Sequence, residues 1–125
     1  MGMFVISKRY NGDYKFEFTS RKGKTIFTSI SCKHKEDCEL MIAGIKSDPS
    51  IFAFTRNRTA AGKHFFRLSK GGLVLATSRK FASELSVNKG ISDVLKYVPS
   101  SDILDFSEND FVFPDAEEVF ISSEP

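Results

Sequence analysis

Short apolar stretches separated by turn residues fill the first hundred positions, and their period changes twice. Tyr14, Phe16 and Phe18 alternate with Lys15, Glu17 and Thr19, the two-residue period of a half-buried strand. Phe4-Val5-Ile6-Ser7-Lys8 reads as a shorter strand before it, and Asn11-Gly12-Asp13 between them is a hairpin signal. Gly23 marks the next turn, and Lys24 to Ser29 is a third strand. Then Cys38, Met41, Ile42 and Ile45 fall at i, i+3, i+4 and i+7, one face of a helix that Pro49 stops. The order repeats: strands near 52–57, 63–69 and 73–78, then a helix from about Ser83, a candidate N-cap. Val87, Ile91, Val94, Leu95 and Val98 form its stripe, and Pro99 ends it.

The two halves align at a nearly constant offset. Gly12 matches Gly62, and Phe16-Glu17-Phe18 matches Phe66-Arg67-Leu68, both at an offset of 50. After one deleted residue, Thr28-Ser29 matches Thr77-Ser78, Ile42 matches Ile91 and Ile45 matches Val94, at an offset of 49. The pattern predicts an α+β domain over residues 1–100, made of repeats at about 3–50 and 51–99. Each repeat is a β-β-β-α unit, and the two share one antiparallel sheet with both helices on one face. A single three-stranded unit with one helix would be marginal alone. Phe4, Ile6, Tyr14, Phe16, Phe18, Ile26, Phe66, Leu68 and Leu75 are expected under the helices. Strict alternation leaves Arg9, Lys15, Glu17, Phe27, Phe65, Arg67 and Val74 on the open face.

Charge adds an asymmetry. The net +2 is a difference between unlike parts. Residues 1–100 hold all 18 Lys and Arg against 8 acids, a net of +10, whereas residues 101–125 hold 8 acids and no cation. That tail also carries Phe106, Phe111, Val112, Phe113, Val119, Phe120 and Ile121, unlike chains that stay unfolded. Residues 106–121 are therefore expected to dock on the basic body, of this chain or of a neighbouring one. No apolar run is long enough for a transmembrane helix, and the first residues lack a basic segment followed by an apolar one. A cytoplasmic protein with no membrane contact is the expectation.

Candidate chemistry is sparse. Cys32, His34 and Cys38 make a C-x-H-x3-C cluster, but a structural zinc needs four ligands at other spacings, and His64 lies a unit away. The expectation is no metal, no cofactor and no catalytic residue. No P-loop, dinucleotide turn or Ser-His-Asp grouping is present. Gly71-Gly72 lies between two strands and reads as a hairpin turn. Basic residues gather in strands and hairpins: Lys8-Arg9, Lys15, Arg21-Lys22, Lys24, Arg56, Arg58, Lys63, Arg67 and Arg79-Lys80.

The repeated pattern resembles the YegP-like family, a small prokaryotic domain of unknown function. The resemblance rests on Met1-Gly2-Met3-Phe4-Val5-Ile6, the glycine turn before a Thr-Ser strand end, Phe81, Ser83 and Gly90-Ile91. It covers roughly residues 3–98. The first half departs from it, with Cys32 at the aromatic position and Met41 at the glycine position. The resemblance implies tandem units joined in one sheet, with the strands after the helices exchanged between units, and it implies no activity. The residues point to a non-enzymatic cytosolic binding or interaction module whose partner is a protein or a second copy. The runner-up is a single-stranded nucleic-acid binder that stacks bases on a basic, partly aromatic face. That anion- or partner-binding face would consist of Arg9, Lys15, Phe27, Arg56, Arg58, Lys63, Phe65 and Arg67.

Overall fold

The computed structural model describes residues 2–107. Seven strands form one sheet, β1 (Met3–Lys8), β2 (Tyr14–Thr19), β3 (Thr25–Ser29), β4 (Ala53–Arg58), β5 (His64–Lys70), β6 (Leu73–Ser78) and β7 (Asp102–Asp105). Helix α1 (Lys35–Ser47) follows β3, and α2 (Glu84–Tyr97) follows β6. The strand order is β4-β5-β6-β3-β2-β1-β7. The hairpins turn at Gly12, Gly23, Gly62 and Gly71-Gly72, all at positive φ, where a side chain would be strained.

The halves meet through a short seam. Phe27 pairs with Ser78, Thr28 with Thr77 and Ser29 with Ala76, antiparallel, so Thr28 and Thr77 stand opposite each other. On each side of this seam a buried serine closes the ladder. Ser29 Oγ accepts the Phe16 N–H at 2.9 Å and donates to the Ile30 carbonyl at 2.8 Å. Ser78 Oγ accepts the Phe66 N–H at 2.8 Å and donates to the Arg79 carbonyl at 2.7 Å. In both places the hydroxyl serves a buried backbone donor where the chain turns away from its neighbour.

The core lies between the sheet and the helices as one cluster. Phe4, Phe16, Phe18, Phe66 and Leu68 meet Cys38, Ile42 and Ile45 of α1 and Val87, Ile91 and Val94 of α2. Phe4 packs against Phe16, Phe18 and Phe27 with ring centroids 5.0–6.1 Å apart. Ser83 caps α2, accepting the Ser86 N–H at 3.1 Å, whereas His34 occupies the same place before α1 with no side-chain cap. Pro49 and Pro99 sit in 3-10 turns just beyond the helices.

Three expectations change. Phe27 is fully buried and stacks on Phe18 at 5.5 Å, so it is not on the open face. The cause is a bulge. Phe18 pairs with Phe27 but Thr19 with Thr25, so Ile26 is an extra residue, and both Ile26 and Phe27 turn inward. The same shift between Leu68 and Ser69 leaves Leu75 unpaired beside the buried Ala76. Leu95, assigned to the stripe of α2, is 39% exposed because the buried arc is held by Val87, Ile91, Val94 and Val98.

The third change concerns the boundary at residue 100 and the purely antiparallel sheet. Asp102–Asp105 is a seventh strand that runs parallel to β1, with Phe4 opposite Ile103 and Val5 opposite Leu104. The Phe106 N–H continues the seam to the Ile6 carbonyl at 2.8 Å. Side chains of α1 hold this strand. Lys46 donates to the Ser101 carbonyl, and Lys35 lies 3.3 Å from the Asp105 carboxylate. Burial raises the Asp105 carboxyl, but two hydrogen bonds from Ser107 and the Lys35 ammonium outweigh it and hold the group below its usual range. From residue 108 the expected docking of the tail lies outside the described residues.

The halves solve one packing problem differently. Phe81 passes over Gly90 of α2, where an added Cβ would stand 2.9 Å from its ring. The positions 49 earlier are Cys32 and Met41, a small residue under a large one. Two measurements check these accounts. Ser29→Ala or Ser78→Ala should lower the unfolding free energy in denaturant titrations by about 1–3 kcal/mol, the cost of an unserved buried donor. The exposed Thr77→Ala should change it by about 0.5 kcal/mol or less. Gly90→Ala should destabilise, because overpacking costs about 1–3 kcal/mol against a helix-propensity gain of about 1. In a Phe81→Cys background the same change should become neutral or stabilising.

Candidate functional site

The open face of the sheet is built in rows. One row runs Thr55, Arg67, Thr77, Thr28, Glu17, Val5 and Leu104 across all seven strands. Glu17 Oε2 accepts from Thr25 and Thr28, each at 3.4 Å. On the other side of the seam Arg67 lies over the Phe65 ring at 5.3 Å. Register places Lys15, Phe65 and Arg67 on this face as expected, but the face is threonine-rich, with an acid set against the cations.

The other residues assigned to that face lie elsewhere. Phe27 is in the core. Arg56 turns to the helix side, where its Nε donates to Asn88 Oδ1 of α2 at 2.6 Å. Arg56 and Arg58 line a hollow of about 150 Å³ with His64 and Glu84. Alternation along β4 explains this: Phe54 packs toward the core on Phe66, so residues 56 and 58 follow it to that side. Arg9 and Lys63 sit at hairpin turns, where the Arg9 N–H bonds the Asp13 carbonyl and the Lys63 N–H bonds Thr59 Oγ1. No single patch unites the eight.

Cys32 and Cys38 come together under α1, both buried and both free thiols. Burial pushes the Cys32 thiol up, and it does the same more strongly at Cys38, whose thiol is hydrogen-bonded to that of Cys32. His34 is exposed, and the His64 backbone pairs with Phe81 instead. Among the described residues no group of three metal-ligating side chains forms. Protonated thiols are poor nucleophiles. Neither cysteine should therefore react with a thiol reagent at neutral pH until the protein is denatured, whereupon both should. Fast native labelling would reassign the pair as a reactive site.

Two concave troughs flank the seam on the helix side. One trough lies between the β2–β3 hairpin and α2 and comprises two adjoining cavities of about 360 and 290 Å³. Phe18, Ile26 and Tyr97 line the first, and Phe81 and Gly90 the second. Arg21, Lys22 and Lys89 stand around one cavity, and Lys24, Arg79 and Lys89 around the other. Asp93 is the single acid lining either. Arg79 is held in place, its guanidinium 4.4 Å over the Phe81 ring.

A second trough lies between the β5–β6 hairpin and α1, with about 520 Å³ lined mainly by Ile30, Leu40, Met41, Leu73 and Leu75, together with Lys33, His34 and Asp37. It is the counterpart of the first. Ile30 stands 49 positions before Arg79, Leu40 before Lys89, and Leu73 stands 49 after Lys24. One trough is apolar and the other cationic at the same places in the two halves. In the sequence Arg21, Lys22, Lys24 and Arg79 belong to the cations gathered in strands and hairpins, and Lys89, on the second helix, is not among them. The available signal was the apolar-to-basic exchange at the repeat offset.

No protein-family model matches the chain. Individual relatives do. The UPF0339 protein in the ptx operon 5' region of Stutzerimonas stutzeri is 29% identical over 106 residues, 83% of this chain and 96% of the relative. A UPF0339 protein of Acinetobacter baylyi is 34% identical over 95 residues, 74% of this chain and 86% of its own. The solution structure of yegP from Escherichia coli, a protein of unknown function, superposes with a TM-score of 0.79 at 25% identity, over 87% of this chain and 96% of that one. A UPF0339 protein of Shewanella oneidensis shares the fold at a TM-score of 0.76, with 20% identity over 87% of this chain and 94% of its own. With an Acinetobacter relative 34% identical along most of its length, this chain belongs to the UPF0339, or YegP-like, family, whose function is unknown.

Proposed function

We propose that this chain is a small, non-enzymatic binding module of the cytoplasm, built from two tandem β-β-β-α units, whose partner is anionic. The cationic trough between the β2–β3 hairpin and α2 carries this reading. Among the described residues no ion pair or hydrogen bond engages the side chains of Arg21, Lys22, Lys24 or Lys89. Their charge is therefore not spent on holding the fold. No helix of the described chain is long and apolar enough to cross a membrane. Association with a protein, or with a second copy, belongs to the same reading, and the exposed Leu40 and Leu73 of the apolar trough favour it.

The runner-up, single-stranded nucleic acid on the open face, keeps Phe65 and Arg67 as its only stacking pair. The loss of Phe27 to the core and of Arg56 and Arg58 to the helix side weighs against it. Retention on heparin tests the two. The parent should be retained and elute earlier as salt rises, because bound cations release counterions. Lys24→Leu/Lys89→Leu should elute at markedly lower salt, and Lys15→Ala/Arg67→Ala should elute almost with the parent. Oligonucleotide binding that is submicromolar and lost in Phe65→Ala would replace this reading with the runner-up.

A further inference from the structure

We infer that the cationic trough is a site for a small phosphorylated compound carrying an apolar ring, of mononucleotide size. The inference rests on the anion-binding reading above and names its ligand. Four observations support it. The two adjoining cavities, about 360 and 290 Å³, fall in the range that holds such ligands. Their floor is aromatic and aliphatic, from Phe18, Ile26 and Tyr97 on one side to Phe81 on the other. Cations stand at both ends and in the middle, where Lys89 lines both cavities. The Arg79 guanidinium lies 4.4 Å over the Phe81 ring, and its backbone N–H bonds the Ile26 carbonyl at 2.9 Å. A fixed guanidinium binds phosphate oxygens in pairs at little entropic cost.

The apolar trough acts as an internal control. It is framed by the same kinds of element, a hairpin and a helix, yet it holds Leu73, Ile30 and Leu40 where the cationic trough holds Lys24, Arg79 and Lys89. The fold thus accepts leucine and isoleucine at these places, and the three cations are not a folding requirement. Asp93 shapes the choice of ligand as well. It is the one acid in both cavities and disfavours a second phosphate beside it, so it suits a hydroxyl or amino group of the ligand body.

The counterpart residues supply a variant that should fold. Lys24→Leu/Arg79→Ile/Lys89→Leu converts the basic trough to the residues of its partner trough. The full chain, isotopically labelled, is titrated with ADP, adenosine and pyrophosphate, and amide shifts are mapped. The expected result is saturable ADP binding with shifts centred on residues 20–24, 79–81 and 89–97. Adenosine and pyrophosphate should each bind about tenfold or more weakly, since each supplies only half of the contacts. The triple variant should melt like the parent and lose ADP binding by about tenfold or more. ADP shifts that map elsewhere, or ADP binding unchanged in the folded variant, would overturn the site. Pyrophosphate binding as tightly as ADP would overturn the ring-bearing ligand. A 5'-phosphorylated oligonucleotide that binds the same residues at least about tenfold tighter than ADP would overturn the small-molecule source in favour of nucleic-acid ends. Heparin retention that depends on Lys24 and Lys89, with no ADP binding, would overturn the ligand class while leaving the anion-binding reading standing.

Discussion

Three residue pairs join β3 to β6 at the centre of the sheet, and the shared core is built around that seam. Phe27–Ser78, Thr28–Thr77 and Ser29–Ala76 are the only rungs between β3 and β6. Three strands with one helix have little area to bury alone. Joined at the seam, the two sets of aromatic and aliphatic side chains become one core. Beside the seam the β2–β3 pairing stops at Glu17–Thr28 and the β5–β6 pairing at Arg67–Thr77, which would strand the Phe16 and Phe66 N–H groups in an apolar setting. Ser29 and Ser78 meet that need, each hydroxyl taking one N–H and giving its own proton to a carbonyl.

Around the seam the two halves run through the same order of three strands and a helix with different side chains. Phe81 with Gly90, and Cys32 with Met41, fill equivalent space with the bulk on opposite partners. Close packing demands this kind of compensation, since one Cβ too many at residue 90 meets a ring at 2.9 Å. The same freedom reaches the troughs. Their rims lie at hairpin ends and helix flanks, where the fold asks little of a side chain. One rim carries leucine and isoleucine and the other lysine and arginine, so the halves differ in side-chain chemistry where structural demand is weakest.

The edge strand β7 shows how modest contacts can place a segment. It has four residues, and its side chains are mostly exposed. Backbone pairing with β1 supplies its direction, and the Lys46 and Lys35 contacts from α1 fix its position. The Lys35–Asp105 pair is partly exposed, so its own contribution is about 0–1 kcal/mol. It serves to choose a register more than to add stability.

The sequence alone determined the order of the first six strands and both helices, most of the core and the family. Those features rest on local periodicity, on glycines that only a turn tolerates, and on an offset near 50 that counting reveals. Phe4, Phe16, Phe18, Phe66 and Leu68 alternate so regularly that their burial was legible. Phe27 was not, because a bulge shifts the parity of β3, and a bulge depends on pairing with β2 that no local pattern records. The parallel strand β7 has no local signature, since Asp102 and Asp105 around two apolar residues look like tail until a free edge of β1 is there to receive them; only the family resemblance implies a strand exchanged after the second helix. The candidate site was the least legible part. Lys24, Arg79 and Lys89 are 65 positions apart at the extremes, and only the crossing of the β2–β3 hairpin toward α2 brings them to one trough. Local sequence sets which face a residue takes on its own element, and tertiary structure decides which faces meet.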